Sequence, residues 1–248
     1  MSSGSAEAGA PASSPDNLSV LRRIAGIIRR PRSTLQAVAA APRWAGLLAL
    51  LFLVSFSVSA AFFATDVGQL ALVDQWERTA IAFGQPVDDA RYAEFQEWSG
   101  RGVSYAALMS LTAGPLAAIG LSAILFGIFT AWRGGRASFH QVFAVVVHAS
   151  VILTLRQLIS TPVNYARESV ASPTTLVGML SSIDEGSPIA RLFGLIDVFV
   201  IWWLIVLTVG VAVLYRLPAP RVAAVSIGVY VAVALLLVGT MAMLGGVS

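Results

Sequence analysis

Five long apolar runs alternate with short polar segments, and this alternation constrains the fold more than any other feature of the chain. The runs cover residues 44–64, 105–131, 139–160, 193–214 and 222–244. Each run exceeds the roughly 18–20 apolar residues that a helix needs to cross the hydrocarbon core of a bilayer. The sequence therefore predicts an all-α, polytopic membrane protein with five transmembrane helices.

Composition favours one membrane domain with a short tail. Charged residues make up 12% of the 248 residues, and hydrophobic residues make up 57%. Soluble domains carry about a quarter charged residues, so this chain has too little polar surface to face water on all sides. We expect residues 1–17 to form a disordered tail, 18–43 a basic amphipathic interfacial segment, and 44–248 the five-helix membrane domain.

The sign of the charge between the runs predicts their orientation. Six arginines and two acidic residues precede the first run, whereas seven acidic residues and three arginines lie between residues 66 and 104. The loops after the second and fourth runs are short and basic. Because arginine-rich segments stay in the cytoplasm, we expect the N-terminus inside and the C-terminus outside. The short inner loops also predict antiparallel hairpins of runs two and three, and of runs four and five.

Basic residues beside the runs predict a surface for anionic headgroups or a cytoplasmic partner. Residues 18–30 place apolar side chains at helical spacing and arginines on the remaining face, and Pro31 would end this helix. A basic amphipathic helix beside a membrane lies in the headgroup plane. The predicted lipid or partner surface comprises Arg22, Arg23, Arg29, Arg30, Arg133, Arg136, Arg216 and Arg221.

The loop after the first run also has helical spacing. Apolar residues recur from Val67 to Phe83, and Pro86 then interrupts the pattern. Asp88 or Asp89 can cap a second helix, which would carry three aromatic residues along one side: Tyr92, Phe95 and Trp98. The pattern predicts a helical hairpin over the outer face, either as a structural cap or as a lid for a ligand.

Two charged residues interrupt the apolar runs. Arg156 lies about seventeen residues into the third run, and Asp197 lies four residues into the fourth. An unpaired charge at mid-span costs about 2.5–3.5 kcal/mol, and the two residues fall at similar depth, so we predict an intramembrane ion pair. The pair could clamp two helices or form a polar site for an anionic or protonatable ligand; alternatively, each side chain could reach the interface separately.

Gly114 and Pro115 lie inside the second run. Proline removes one backbone hydrogen bond and bends a helix, which neighbouring helices tolerate within a membrane. The pair predicts a helix kink, which serves either packing or gating.

No pattern in the sequence indicates catalysis or a cofactor. Cysteine is absent, which excludes disulfides, thiol chemistry and cysteine-based metal sites. His140 and His148 are separated by about 12 Å of helical rise, so they cannot bind one metal ion together. We therefore expect no catalytic residue, no metal and no cofactor. Because the arginines flank helices, anionic lipid explains them better than a nucleic-acid partner does.

Three stretches of the chain carry a family resemblance. They are IIRRPRSTLQAVAAAPRW from Ile27, GGRASFHQVFAVVVHAS from Gly134, and LIDVFVIWWLIVLTVGVAVLYRLPAPRVAAV from Leu195. They are similar to the proline-bearing entry to span one, the glycine-rich turn before span three, and spans four and five of the Yip family of membrane proteins, and the chain resembles a prokaryotic member of that family. The resemblance implies five helices, and eukaryotic relatives are adaptors that contact small GTPases. We expect a minimal N-terminal region in this protein, without a long recruiting domain.

The sequence favours a non-enzymatic membrane scaffold or adaptor of the Yip-like class. It would sit in a bacterial cytoplasmic membrane and meet anionic headgroups at the inner face, with another membrane protein or a second copy as partner. The alternative is a component of a transporter or lipid-translocation system that uses a polar layer at Arg156 and Asp197. Few intramembrane polar groups are present for transport of a hydrophilic solute.

Overall fold

A computed structural model describes residues 15–134, 137–170, 172–176 and 196–245. Within these residues the protein is a bundle of helices. Their bounds are α1 Pro15–Arg29, α2 Pro31–Ala40, α3 Ala45–Phe63, α4 Asp66–Ala82, α5 Asp89–Ser99, α6 Gly102–Arg133, α7 Phe139–Ala149, α8 Val151–Ala166, α9 Val198–Tyr215 and α10 Ala219–Gly245.

In the described part of the chain, four helical segments are long and apolar enough to cross a membrane. They are Ala45–Phe63, Gly102–Trp132, Phe139–Ala166 and Val198–Tyr215. The third joins α7 to α8 through Ser150, whose backbone stays in the helical region. A shorter apolar stretch, Ala219–Val233, lies within α10. The fold is therefore that of a multi-pass helical membrane protein, and a fifth crossing at the fifth apolar run remains a prediction.

Local sequence signals set several helix ends. Pro31 begins α2, where its missing amide hydrogen costs nothing because that position has no helical acceptor. Ser138 and Gln141 form a reciprocal capping box at the start of α7. In the loop after the first run, α4 and α5 confirm the predicted pair of helices, and the side chain of Asp88 accepts a hydrogen bond from Arg91 N at 2.8 Å.

Helix α7 lies at the centre of the bundle. Its residues from Val142 to Ala149 are all buried, which fits its nearly continuous apolar sequence. The neighbouring helices α1, α2, α3, α6 and α9 all pack against it. Gly210 of α9 permits close approach, because a Cβ atom there would overlap Val145 and press on Leu35.

Part of the predicted interfacial segment packs into the bundle. Ile27 of α1 and Leu35 and Val38 of α2 are almost completely buried. Helix α2 lies against α9 and α7. The amphipathic pattern that suggests a headgroup-plane location equally suits a helix that covers protein, because both environments bury one apolar face.

Side-chain contacts show that successive spans run in opposite directions. At one end, the Trp44 and Phe143 rings lie 4.9 Å apart, and the hydroxyls of Thr130 and Tyr215 lie 3.3 Å apart. The start of α3, the end of α6, the start of α7 and the end of α9 therefore lie together at this end of the bundle. At the opposite end, Tyr105 near the start of α6 packs against Phe63 at the end of α3.

Candidate functional site

The structure places Asp197 at the N-cap of α9, one residue before the helix begins. The sequence interpretation had put it four residues inside the fourth span. Its Oδ1 atom accepts hydrogen bonds from the amides of Phe199 at 2.9 Å and Val200 at 3.2 Å. Free amides at a helix start need such an acceptor, and aspartate is among the preferred residues there. The carboxylate therefore has a structural role that the span boundary obscured.

Arg156 of α8 reaches the other oxygen of the same carboxylate. Its Nε atom lies 2.8 Å from Asp197 Oδ2, and the two side chains are 33% and 4% exposed, respectively. The buried carboxylate and the half-buried guanidinium join two helices that are distant in sequence. Desolvation of two charges is costly, so a contact of this kind stabilises the fold only when further hydrogen bonds complete it.

Two hydroxyls supply those further bonds. Thr174 Oγ1 donates to Asp197 Oδ2 at 2.6 Å, and Ser172 Oγ donates to the same atom at 3.1 Å. Arg156 Nη2 donates to Ser172 Oγ at 2.7 Å. We refer to Arg156, Ser172, Thr174 and Asp197 as the polar cluster.

The loop between the third and fourth spans delivers these hydroxyls by backbone pairing. Leu176 N donates to Ile196 O at 2.9 Å, and Val198 N donates to Thr174 O at 3.3 Å. Sequence reasoning did not predict Ser172 or Thr174. Hydroxyl residues are common in turns, and nothing local shows that this turn folds back on the start of α9. The nearest sequence signal is Asp197 itself, whose carboxylate has more acceptor positions than its contact with Arg156 fills.

The polar cluster leaves Asp197 little capacity for further chemistry. Oδ1 accepts two amide hydrogens, and Oδ2 accepts from Arg156, Ser172 and Thr174. An ionised carboxylate offers about four lone-pair positions, so its acceptor sites are filled. A proton relay or ligand site needs a vacant position. The geometry instead suits a clamp between α8, the returning loop and α9.

The predicted basic surface is spread over several elements. Within the described residues, the side chains of Arg22, Arg29, Arg30, Arg216 and Arg221 are exposed and Arg23 is half-buried. Arg23 Nη1 donates to Arg43 O at 2.8 Å. The side chain of Arg133 and all of Arg136 lie outside the described residues.

Exposed arginines mark one end of the bundle. Arg43 precedes α3 beside Trp44, and Arg216 follows Tyr215, so both lie at the end defined above. Arg216 has a left-handed backbone, with φ of 54°, and borders a cleft of about 430 Å³ with Gln36 and Gln141. Arg221 lies in the first turn of α10, directly after the turn at that end. We call Arg43, Arg216 and Arg221 the basic end.

The histidines have separate environments on α7. His148 is buried, with Nδ1 2.7 Å from Ala144 O of the preceding turn. His140 is exposed and lies edge-on to Trp44, with ring centroids 5.9 Å apart. Across the described residues, no group of three or more histidine, aspartate or glutamate side chains could hold a metal ion.

Gly114 and Pro115 lie within the continuous helix α6, where both border a large cavity between the spans. Pro115 has no amide hydrogen to donate to the carbonyl of Leu111, four residues earlier. The predicted kink thus has its physical cause in place, at a position where α6 faces open space instead of a packed neighbour.

The family of the protein follows from comparison with known proteins. A comparison with curated proteins and a comparison with solved structures each found no match. The family model described as the Yip1 domain matches residues 25–241. The matched region includes α2 to α9, the polar cluster and the basic end, and it covers most of the chain. The protein is a multi-pass membrane protein that belongs to the Yip1 domain family.

Proposed function

We propose that the protein is a non-enzymatic membrane scaffold that recruits a partner through the basic end. The observation that carries this proposal is the convergence of Arg43, Arg216 and Arg221 at one end of the bundle. Arg43 is distant in the sequence from Arg216 and Arg221, and all three residues are exposed. Exposed arginines offer planar, charged donors that suit carboxylates and phosphates. The partner is either a second membrane protein with an acidic cytoplasmic surface or another copy of the chain.

Charge supports an N-inside, C-outside orientation with five crossings. The α4–α5 hairpin and its flanking turns contain seven acidic residues and three arginines. This hairpin joins the bundle opposite the basic end, because Trp76 packs against Tyr105 with ring centroids 5.6 Å apart. The positive-inside rule places the basic end in the cytoplasm and the hairpin outside. A bacterial cytoplasmic membrane is the location that we propose.

The polar cluster supports a scaffold over a transporter or a lipid-translocation component. A solute route needs polar groups that are free to replace water. The acceptor positions of Asp197 are filled, and Arg156 is paired. The polar cluster can hold the spans together. A scaffold, which acts through its surface, needs no more from an internal polar cluster than this.

Site-specific photo-cross-linking in native membranes tests the proposal. A photo-reactive amino acid replaces either Arg221 or Arg43, both of which belong to the basic end. The matched control replaces Arg78, which is an exposed arginine on α4. We expect discrete cross-linked products from the basic end and none from Arg78. The product mass separates a second copy from a different protein. Equal products from all three positions would contradict a partner surface at the basic end.

A lipid-flip assay in reconstituted vesicles tests the alternative. The scaffold proposal predicts no flip above that of protein-free vesicles, for the wild type and for Asp197→Ala alike. Flip by the wild type that Asp197→Ala abolishes would favour the translocation role.

A further inference from the structure

A large apolar cavity lies between the spans, and its lining includes no residue of the polar cluster or of the basic end. Its volume is about 710 Å³, and residues from α3, α6, α7, α8, α9 and α10 form its walls. This size falls within the ~300–1,000 Å³ typical of ligand pockets. Leu51, Ile124 and Val147 represent its predominantly apolar lining.

Small residues of α6 open the cavity. Gly114, Ala117, Ala118 and Gly120 all border it. A Cβ atom added at Gly114 or Gly120 would meet no other atom within 4 Å. These glycines therefore do not serve close helix packing in the described structure. Their lack of side chains creates space.

The cavity has a direct route to the bilayer. Both α6 and α10 border it. Among its lining residues, Met109 and Ile124 of α6 and Val233 of α10 are 37%, 43% and 47% exposed, respectively. The cavity therefore opens to the surface along these two helices, and Met109 and Ile124 lie within the apolar span Gly102–Trp132. A molecule that enters by this route comes from the lipid phase.

Polar groups occupy a small part of the wall. Gln157 borders the cavity, and its Nε2 atom donates to Ser55 O at 3.1 Å and to Ser59 Oγ at 2.8 Å. Ser110 and Thr154 also border the cavity. A few hydroxyls on an otherwise apolar wall cannot hold a column of water, because apolar cavities stay dry.

The geometry points to a binding site for one acyl chain of a bilayer phospholipid. An empty cavity of this size would lose the dispersion contacts of its entire lining. Acyl chains are the apolar molecules that a lateral opening in the hydrocarbon core admits. The hydroxyls of Ser110 and Thr154 can donate to ester oxygens where the chain joins its headgroup. In this site the bound acyl chain lies between the helices and not around the outside of the bundle.

Photolabelling of the full-length protein tests this site. The protein is reconstituted in vesicles of phosphatidylethanolamine and phosphatidylglycerol that contain a phospholipid with a diazirine in its acyl chain. After illumination, mass spectrometry locates the label. We expect label on the cavity-wall residues Leu121 and Thr154 at a level that exceeds the label on Leu116 and Ile119. Those two residues are 64% and 46% exposed on the same helix and report ordinary surface lipid.

A matched pair of variants provides the decisive comparison. Gly120→Leu fills the cavity, whereas Gly127→Leu adds the same side chain to α6 where space is also open but the cavity is absent. Leucine at position 120 displaces at least two methylene groups of the chain, so we expect cavity labelling to fall by about tenfold. Gly127→Leu should label like the wild type.

Two results would overturn the site. One is equal labelling of Gly120→Leu and Gly127→Leu at the cavity wall. The other is a wild-type map in which Leu116 and Ile119 carry the label and Leu121 and Thr154 do not, which indicates surface lipid alone. The wild-type map remains decisive if Gly120→Leu fails to fold.

Discussion

At the residue scale, Asp197 has two roles that a charge-reversal experiment must separate. It pairs with Arg156 and also caps α9. Arg156→Asp or Asp197→Arg alone should reduce the free energy of unfolding by about 3–5 kcal/mol, because each leaves a buried charge without its partner. The double reversal should recover most of this loss but remain about 1 kcal/mol below the wild type, since arginine does not cap a helix. Chemical denaturation in detergent measures these differences. A double variant as unstable as the worse single variant would refute direct pairing.

The hydroxyl of Thr174 offers a narrower test of the polar cluster. Thr174→Val keeps the shape of the side chain but removes the 2.6 Å donor to Asp197 Oδ2. Hydrogen bonds to charged groups contribute about 1.5–3 kcal/mol, so we expect a loss of stability in that range. Thr112→Val is the control, because Thr112 Oγ1 donates only to Leu108 O within its own helix. Equal losses from both variants would show that the hydroxyl does not support the carboxylate.

At the scale of elements, Gly210 controls how closely α9 approaches α7 and α2. A side chain at this position would overlap Val145, which the packed core cannot move without strain. Gly210→Leu should therefore destabilise the protein by about 1–3 kcal/mol through overpacking. Gly228→Leu in α10 is the matched control, because a Cβ atom there meets nothing within 4 Å. Thermal unfolding in detergent distinguishes the two, and similar melting temperatures would contradict the close contact.

Sequence reasoning predicted elements better than it predicted their contacts. Periodicity was sufficient to predict α4, and periodicity together with the capping preference of aspartate was sufficient to predict α5, because both signals are local. The burial of Leu35 and the return of Thr174 to Asp197 depend on tertiary packing, which a hydrophobic pattern does not encode. The cap at Asp197 was predictable in principle, since aspartate directly before an apolar run is a helix-start signal. Its interpretation as an intramembrane charge gave the Coulombic partner but missed the backbone donors.

At the scale of the whole molecule, the absence of cysteine makes the predicted topology directly measurable. Every introduced cysteine is the single thiol of the chain. Gln85 lies exposed between α4 and α5, and Arg221 lies exposed in the first turn of α10. A membrane-impermeant maleimide should label Gln85→Cys in intact cells but label Arg221→Cys only after the membrane is permeabilised. The opposite labelling pattern would show that the protein has the opposite orientation, with the basic end outside.

A third cysteine position is needed to determine how many times the chain crosses the membrane. An odd number of spans places the two chain ends on opposite sides of the membrane, whereas an even number places them on the same side. With Arg221 inside, Ser248→Cys should be labelled in intact cells if the fifth apolar run crosses. It should be protected like Arg221→Cys if α10 does not cross the membrane. The comparison with Arg221→Cys is the important control, because residues 222–233 of the apolar stretch of α10 lie between these two positions. Protection of Ser248→Cys would indicate four crossings. It would also mean that α10, which forms one wall of the acyl-chain cavity, does not extend across the hydrocarbon core.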